Sequence, residues 1–490
     1  MDLQKLTARL SNHIFLDGEL KSPCAAETLA VISPIDSQRI ATIPLCNNED
    51  VNVVVESSKR AQIEWAQTSN QKRASILKQC GLALKEHAEE LAQLMSLETG
   101  KAISTESRLE VKSIEEIFDY YAGLALEIKG ETIPFDPNVV ALTMREPFGV
   151  VGAIIPWNVP LMLMAVKIAP ALVTGNTVVL KASPEATLTV LRAAEIMGKI
   201  LPKGVLNILT GDGPGTGASL VNHSDVAKVT FTGSVEGGID VYKNAAAKLI
   251  PVTLELGGKS PFIIYPDADL DRAVNDAIIG MRFTRQGQSC SAASRLFLHT
   301  KIYDTFLEKM KIQLAKMKVG HPLKEETDIG SIISKKQYLK ILDFIKLAKE
   351  DPNLDVCEIG KLLEDISIKD GFYILPTLIT GITNTHAICQ KEIFGPVVCI
   401  ISWQDEEEVL KEANDTKYGL AAAVWTKDIT TALRAVKRLD AGFVQINQYN
   451  MFKAGIAFGG FKSSGLGKEA SKNSMIENFT REKLILINIM

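Results

Sequence analysis

What this chain lacks narrows its chemistry first. Nothing in its 490 residues approaches an unbroken apolar run of about 18, and the amino-terminal segment carries Asp2, Arg9, Asp17 and Glu19. Those absences argue against a membrane span or a secretory signal. A basic excess is missing as well. The formal net charge of −4 speaks against a nucleic-acid partner, which asks for a basic face. The seven cysteines (Cys24, Cys46, Cys80, Cys290, Cys357, Cys389 and Cys399) are scattered, odd in number and without a C-x-x-C pair. That pattern fits the reducing cytoplasm and excludes both a disulfide framework and a structural zinc site. Six isolated histidines, none in an H-E-x-x-H, offer no metal centre. There is no internal repeat and no low-complexity tract. What remains is a soluble, enzyme-like composition, 46% hydrophobic and 23% charged. Its length exceeds one ordinary core, so two or three domains are expected.

The regular part of the chain is α/β. Strand-like runs at 150–155, 177–181, 205–209, 229–232 and 251–255 alternate with helical runs near 160–174, 185–200, 214–222 and 237–247. Five short strands separated by helices predict a parallel, doubly wound sheet, with ligands beyond the carboxyl ends of its strands. Asn158, Lys181, Ser234 and Glu255 all fall there. Alternation resumes at Phe262, with strands near 262–265, 295–299, 396–401, 420–425 and 442–447. Before these units, 1–50 reads as irregular with short strand-like pieces, and 51–123 as helical. Residues 130–149 read as an extended excursion able to pair with the terminal strand Leu484 to Ile489 or with another subunit. Residues 320–375 read as a polar helical insertion.

Two stretches carry the chemistry. VTLELGGKS (252–260) ends a strand on Glu255 and runs into paired glycines, bare backbone that a ligand can approach. Glu255 there is either a general base or a strand-end carboxylate paired with Lys259. RQGQSCSAASR (285–295) surrounds Cys290 with small polar residues, as suits a reactive thiol and not a packing cysteine. Asn158, on the loop IIPWNVP (154–160), either donates to a developing oxyanion or caps the helix starting near Pro160. Lys181 either reaches a ribose or phosphate or stands as a plain surface lysine. FTGSVEGG (231–238) runs from strand into helix and suits a pyrophosphate. GDGPGTG (211–217) is a weaker signal, since glycines before a helix usually just make the turn.

Taken together, ETGK (98–101), REPFGVVGAIIPWN (145–158), GNTVVLKAS (175–183), FTGS (231–234), LELGGKSP (254–261), GQSC (287–290), EIFGPV (392–397) and FGGFKSSGLGKE (458–469) resemble the aldehyde dehydrogenase superfamily over essentially the whole chain. The resemblance implies a Rossmann-like cofactor domain (1–124 and 148–257), a second α/β catalytic domain (258–463) and a bridging β-hairpin element (125–147 and 476–490) in a homodimer or homotetramer. It implies that Cys290 attacks an aldehyde, that Asn158 and the Cys290 N–H hold the oxyanion, and that Glu255 activates water against the thioester. Lys167 and Glu469 match positions that relay protons. NAD is the implied cofactor. Its site takes in Lys181 at the adenosine ribose, Ser234 at the pyrophosphate, and Glu392 and Phe394 at the nicotinamide end. Ile154, Pro156, Trp157, Ser183, Glu185, Gly213, Gly217, Phe231, Gly233, Leu256 and Gly257 complete it. Many NAD-preferring relatives carry an acid three positions after the strand-end lysine. Here that position is Pro184 and Glu185 follows, so NADP stays possible. Val159, Leu163, Val166, Thr284, Ser289, Ser291, Phe452 and Phe458 mark the substrate pocket. It is expected to be wide and apolar, preferring medium-chain or aromatic aldehydes over acetaldehyde or charged ones. The rival readings are a CoA-acylating semialdehyde dehydrogenase, against which Glu255 counts, and a non-catalytic relative.

Overall fold

The computed structural model describes residues 2–364, 369–449 and 452–490. Five apolar runs form its first sheet: Val150–Ile154, Thr177–Lys181, Leu206–Leu209, Val226–Thr232 and Val252–Glu255, all parallel. Almost every position in them is buried. That is why they read as continuous hydrophobic runs and not as alternating ones. The crossover helix Pro160–Val173 opens on a proline, favourable at a first helical position, and buries nearly its whole circumference.

Strand order decides where a ligand can enter. Val150–Ile154 lies between Thr177–Lys181 and Val226–Thr232. The chain therefore winds one way through its second and third strands and then returns to wind the other way. At that reversal the loops after Ile154 and Thr232 diverge and leave a crevice at the carboxyl edge of the sheet.

Residues 256–260 alone connect Glu255 to Pro261–Ile264, the first strand of a second sheet. Arg295–His299, Thr377–Thr380, Val397–Trp403, Ala421–Trp425 and Phe443–Ile446 join it in parallel. So short a link brings the carboxyl edge of one sheet against the amino edge of the other. A third, three-stranded sheet pairs Thr480–Asn488 with Val139–Pro147, and that strand with Thr132–Asp136.

Two expectations need correction. Residues 1–50 are more regular than they read. Helix Leu3–Leu10 is followed by Ile14–Leu16, which pairs with Leu206–Leu209 and extends the first sheet. A three-residue strand is too short for any periodicity to reveal. Residues 320–375 are not a polar helical insertion. One helix, Lys335–Glu350, is followed by Asp355–Glu358, an antiparallel edge of the second sheet. Ile332, Ile341, Ile345 and Ile374 from this stretch are core. Lysines on the outer face of that helix had masked its apolar stripe.

Candidate active site

Cys290 is delivered by a sharply turned loop. Helix Leu270–Met281 stops at Arg282, which is left-handed (φ 56°), and Gln286 (φ 55°) and Gly287 (φ 66°) turn the chain again. Gly287 admits no side chain, since a Cβ there would lie 2.0 Å from the Gly395 carbonyl oxygen. The loop leaves Cys290 on the wall of a cavity of about 980 Å³ between the two sheets. Burial first, then the carboxylates Glu392 and Glu255, push its thiol up to about 12. At neutral pH the resting group is therefore S–H, and the nucleophile forms only when a proton leaves.

Glu255 lines the same cavity. Neither of its oxygens has a hydrogen-bond partner among the described residues. The pairing with Lys259 does not form, and the lysine's Nζ is itself buried without a partner. Gly459 makes room for the carboxyl, since a Cβ there would lie 2.6 Å from Glu255 Oε1. Burial, followed by the charge of Glu469, holds the Glu255 carboxyl well above the ordinary carboxylate range. Glu469 also reaches the cavity. Its Oε1 accepts from Lys167 Nζ and from Thr230 Oγ1, each at 2.7 Å. Lys167 stands fully buried behind it, off the cavity wall.

Asn158 completes the centre. Its Nδ2 donates to the Gln288 carbonyl at 3.2 Å, turning the amide toward the cysteine loop. It does not cap the following helix. That task falls to Glu110, whose Oε1 accepts from the Leu161 and Met162 N–H groups at 3.0 and 3.2 Å. Glu110 is in turn ion-paired with the buried Lys101, whose Nζ donates to the Asn158 carbonyl at 3.2 Å. One buried pair thus fixes both the helix start and the asparagine.

From this centre the cavity extends two ways. Pro156, Trp157, Glu185, Gly233, Ser234, Leu256, Gly257, Glu392 and Phe394 line the limb on the first sheet's carboxyl edge. Phe394 (φ 59°) packs edge-on to Trp157 at 5.3 Å. Gly257 is needed there, because a Cβ would lie 2.4 Å from Glu392 Oε2. Glu392 accepts from the Gly258 N–H at 2.9 Å, and burial raises its carboxyl to about 7. Lys181, lowered to about 8 by burial, stands just behind this wall. Ser183, donating to Glu185 at 2.5 Å, also lies behind it. Ile154, Phe231, Gly213 and Gly217 do not reach the wall either. Ile154 and Phe231 are core, while the two glycines belong to a turn held by the Asp212 side chain.

The other limb carries every residue expected of a substrate pocket: Val159, Leu163, Val166, Thr284, Ser289, Ser291, Phe452 and Phe458. Phe458 meets Phe452 and Phe443 edge-on at 5.6 and 5.5 Å. Charged side chains stand among these residues as well. Arg285 lines this limb in an ion pair with Glu106 at 2.6 Å, and Arg282 lines it as well. A thiol, an unpartnered carboxyl and an amide donor around one cavity can perform acyl transfer through sulfur.

Against this geometry stand the likenesses to known proteins. The model of the aldehyde dehydrogenase family matches residues 22–485. The chain belongs to the aldehyde dehydrogenase family. It is 40% identical over 477 residues to aldehyde dehydrogenase family 2 member B4, mitochondrial, of Arabidopsis thaliana, covering 96% of this chain and 87% of that protein. The NAD+ complex of a Bacillus cereus aldehyde dehydrogenase superposes with a TM-score of 0.95 at 37% identity, covering 100% of this chain and 99% of the other. A betaine aldehyde dehydrogenase from Staphylococcus aureus, solved with NAD+, gives 0.94 at 36% identity, covering 100% and 97%.

Several site residues of this family member escape motif reading. ETGK was legible as a block, yet its lysine looks like any helix-end cation. Only the tertiary fold brings Lys101 to Glu110 and Asn158. Glu98 of the same block is buried and accepts from the Leu188 and Thr189 N–H groups, capping helix Thr187–Met197. Arg282, Arg285 and Glu106 give no local signal at all. Lys101→Met leaves the Glu110 carboxylate buried without its cation and is expected to cost about 3–5 kcal/mol, measured as a lowered Tm.

Proposed function

We propose that the chain oxidises an aldehyde to the carboxylic acid through a thioester on Cys290, using NAD. The observation that carries this reading is the convergence of Cys290, Glu255 and Asn158 on one cavity. Cys290 Sγ loses its proton to solvent water and attacks the aldehyde carbon, forming the C–S bond as the carbonyl π pair moves onto oxygen. The oxygen that becomes negative takes a hydrogen bond from Asn158 Nδ2, held in place through Lys101 and Glu110. When bound, the nicotinamide dinucleotide supplies the hydride acceptor. Glu255 then takes a proton from water, the hydroxide adds to the thioester carbon, and the acid departs as the thiolate is restored.

The first-sheet limb fits a dinucleotide. It opens at the topological reversal, includes the start of helix Val235–Ala246 at Ser234, and has the side-chain-free Gly257 beside Glu392. Lys181 and Ser234 would hold the adenosine half and Glu392 the nicotinamide ribose. Glu185, paired with Ser183 on the wall, is a carboxylate that a 2′-phosphate would meet unfavourably, which favours NAD over NADP. Val159, Val166 and Thr284 leave the substrate limb wide and favour medium-length or aromatic chains over acetaldehyde. Seven free cysteines suit a reducing compartment such as the cytoplasm. The exposed Leu484, Leu486 and Ile487 on the edge strand Thr480–Asn488 suit a homodimer or homotetramer.

An aldehyde panel run with NAD and with NADP tests the reading by the absorbance of reduced nicotinamide. Turnover with NAD, independent of CoA, is expected; strict CoA dependence would replace water by CoA as the acyl acceptor. Asn158→Ala is expected to lower kcat by roughly 10²–10³, about 3 kcal/mol. Cofactor affinity and Tm should stay near the parent values, which separates the oxyanion role from a packing role.

A further inference from the structure

Among the described residues, the buried and half-buried arginines are engaged with carbonyls or carboxylates, with one half-buried exception. Arg295 donates to the Lys259 and Ala413 carbonyls and to Asn384 Oδ1. Arg73 donates to the Val173 carbonyl and to others, and Arg285 is taken up by Glu106. Arg282 is the exception. It lines the substrate limb, its Nε is buried without a partner, and no described carboxylate or carbonyl accepts from it. Glu106, the carboxylate nearest at hand, already accepts from both Arg285 and Thr284. A guanidinium cannot shed its proton to escape burial, and an unpaired buried charge is costly. The natural complement is an anion that arrives with the substrate.

We propose that Arg282 binds a carboxylate at the far end of the substrate chain, so that the preferred aldehyde is an ω-carboxylated one, a dicarboxylic semialdehyde. The proposal rests on the aldehyde-oxidising reading of Cys290 and deepens it. Charge arithmetic selects the carboxylate over a phosphate. Once Arg285 and Glu106 cancel, one enclosed cation remains, which matches a monoanion and leaves a phosphate dianion under-compensated. Lys453 and Glu116, both exposed, line the same cavity and offset each other, which leaves the guanidinium to set the sign of the limb. A guanidinium also matches the planar, two-oxygen face of a carboxylate, which a lysine does not. The same charge repels a cationic aldehyde. The medium chain length read from the pocket is kept, and the expected rejection of charged aldehydes is replaced by selection of negative ones.

The test compares kcat/KM for ω-carboxy aldehydes of graded length, their methyl esters, a phosphorylated aldehyde and a quaternary-ammonium aldehyde, in the parent enzyme and in Arg282→Met and Arg282→Lys. The parent is expected to favour one acid over its ester by roughly 30-fold or more, as for other buried charge pairs. Arg282→Met should bring that ratio toward one, costing the acid far more than the ester and chiefly through KM, and Arg282→Lys should restore part of it. An acid-to-ester ratio near one in the parent, a ratio unmoved by Arg282→Met, or a preference for the phosphorylated or cationic aldehyde overturns the proposal. If Arg282→Met lowers Tm and loses the ester too, the ratio in Arg282→Lys decides: a value equal to that of the parent overturns the proposal, and a reduced one supports it. Oxidation of no aldehyde at all would instead sink the reading of Cys290.

Discussion

Cys290→Ala is expected to bring turnover down to background, a loss on the order of 10⁶, as when a covalent nucleophile is deleted elsewhere. Alanine removes the sulfur and little volume, and the loop is shaped by Gln286, Gly287 and the Gly395 carbonyl, none of which touches that atom's chemistry. Tm and NAD affinity, followed by the quenching of intrinsic fluorescence, are therefore expected to stay unchanged. No other cysteine can substitute. Among the cavity-lining residues Cys290 is the sole thiol, and Cys80, Cys389 and Cys399 are packed into cores. A variant that keeps even a tenth of the parent rate would mean that hydride leaves an aldehyde hydrate without sulfur capture, and the thioester route would have to be abandoned. The resting thiol, pushed up to about 12, adds a second reading. Alkylation of the parent enzyme by iodoacetamide is expected to quicken as pH rises through the neutral and alkaline range, and Cys290→Ala removes that pH-dependent component.

The parts of the molecule that were legible in the sequence share a physical trait. The five parallel strands of the first sheet are buried on both faces, so their code is a plain apolar run bounded by turn residues, read within a residue or three at each end. Glu255, Asn158 and Ser234 sit where those runs stop, and strand ends are visible without tertiary knowledge. Cys290 stood out because its neighbours are too polar for a packing site. What stayed hidden depends on pairs far apart in the chain. Lys101 meets Asn158 across 57 positions and Glu110 meets Leu161 across 51, and Arg282 is defined by lacking a partner, a property no linear pattern records. Asn158 shows the difference well. The sequence left capping and oxyanion roles equal, and the fold removes the cap by handing it to Glu110.

Glu255→Gln is expected to separate the two halves of the reaction. Capture of the aldehyde by Cys290 needs no water, so the first turnover should still release reduced nicotinamide in a rapid-mixing trace. Hydrolysis of the thioester needs a base, and its loss should lower the steady rate by about 10³, within the range a general base contributes. The sign of the pH dependence follows from the carboxyl's surroundings. Burial and the charge of Glu469 raise Glu255 well above the ordinary range, while Lys167 and Lys468 pull the other way without prevailing. A raised carboxyl is protonated and inert at low pH and gains its base form as pH climbs. Where hydrolysis limits turnover, kcat of the parent enzyme should accordingly rise with pH across the neutral region, and Glu255→Gln should flatten that limb. Glutamine is nearly isosteric and uncharged, so it keeps the space that Gly459 provides and spares the protein a buried ionisation; Tm is expected to hold or rise. A variant showing the parent's steady rate and the parent's pH limb would assign the base to another group, and Glu469, hydrogen-bonded to Lys167 on the same wall, would be next in line.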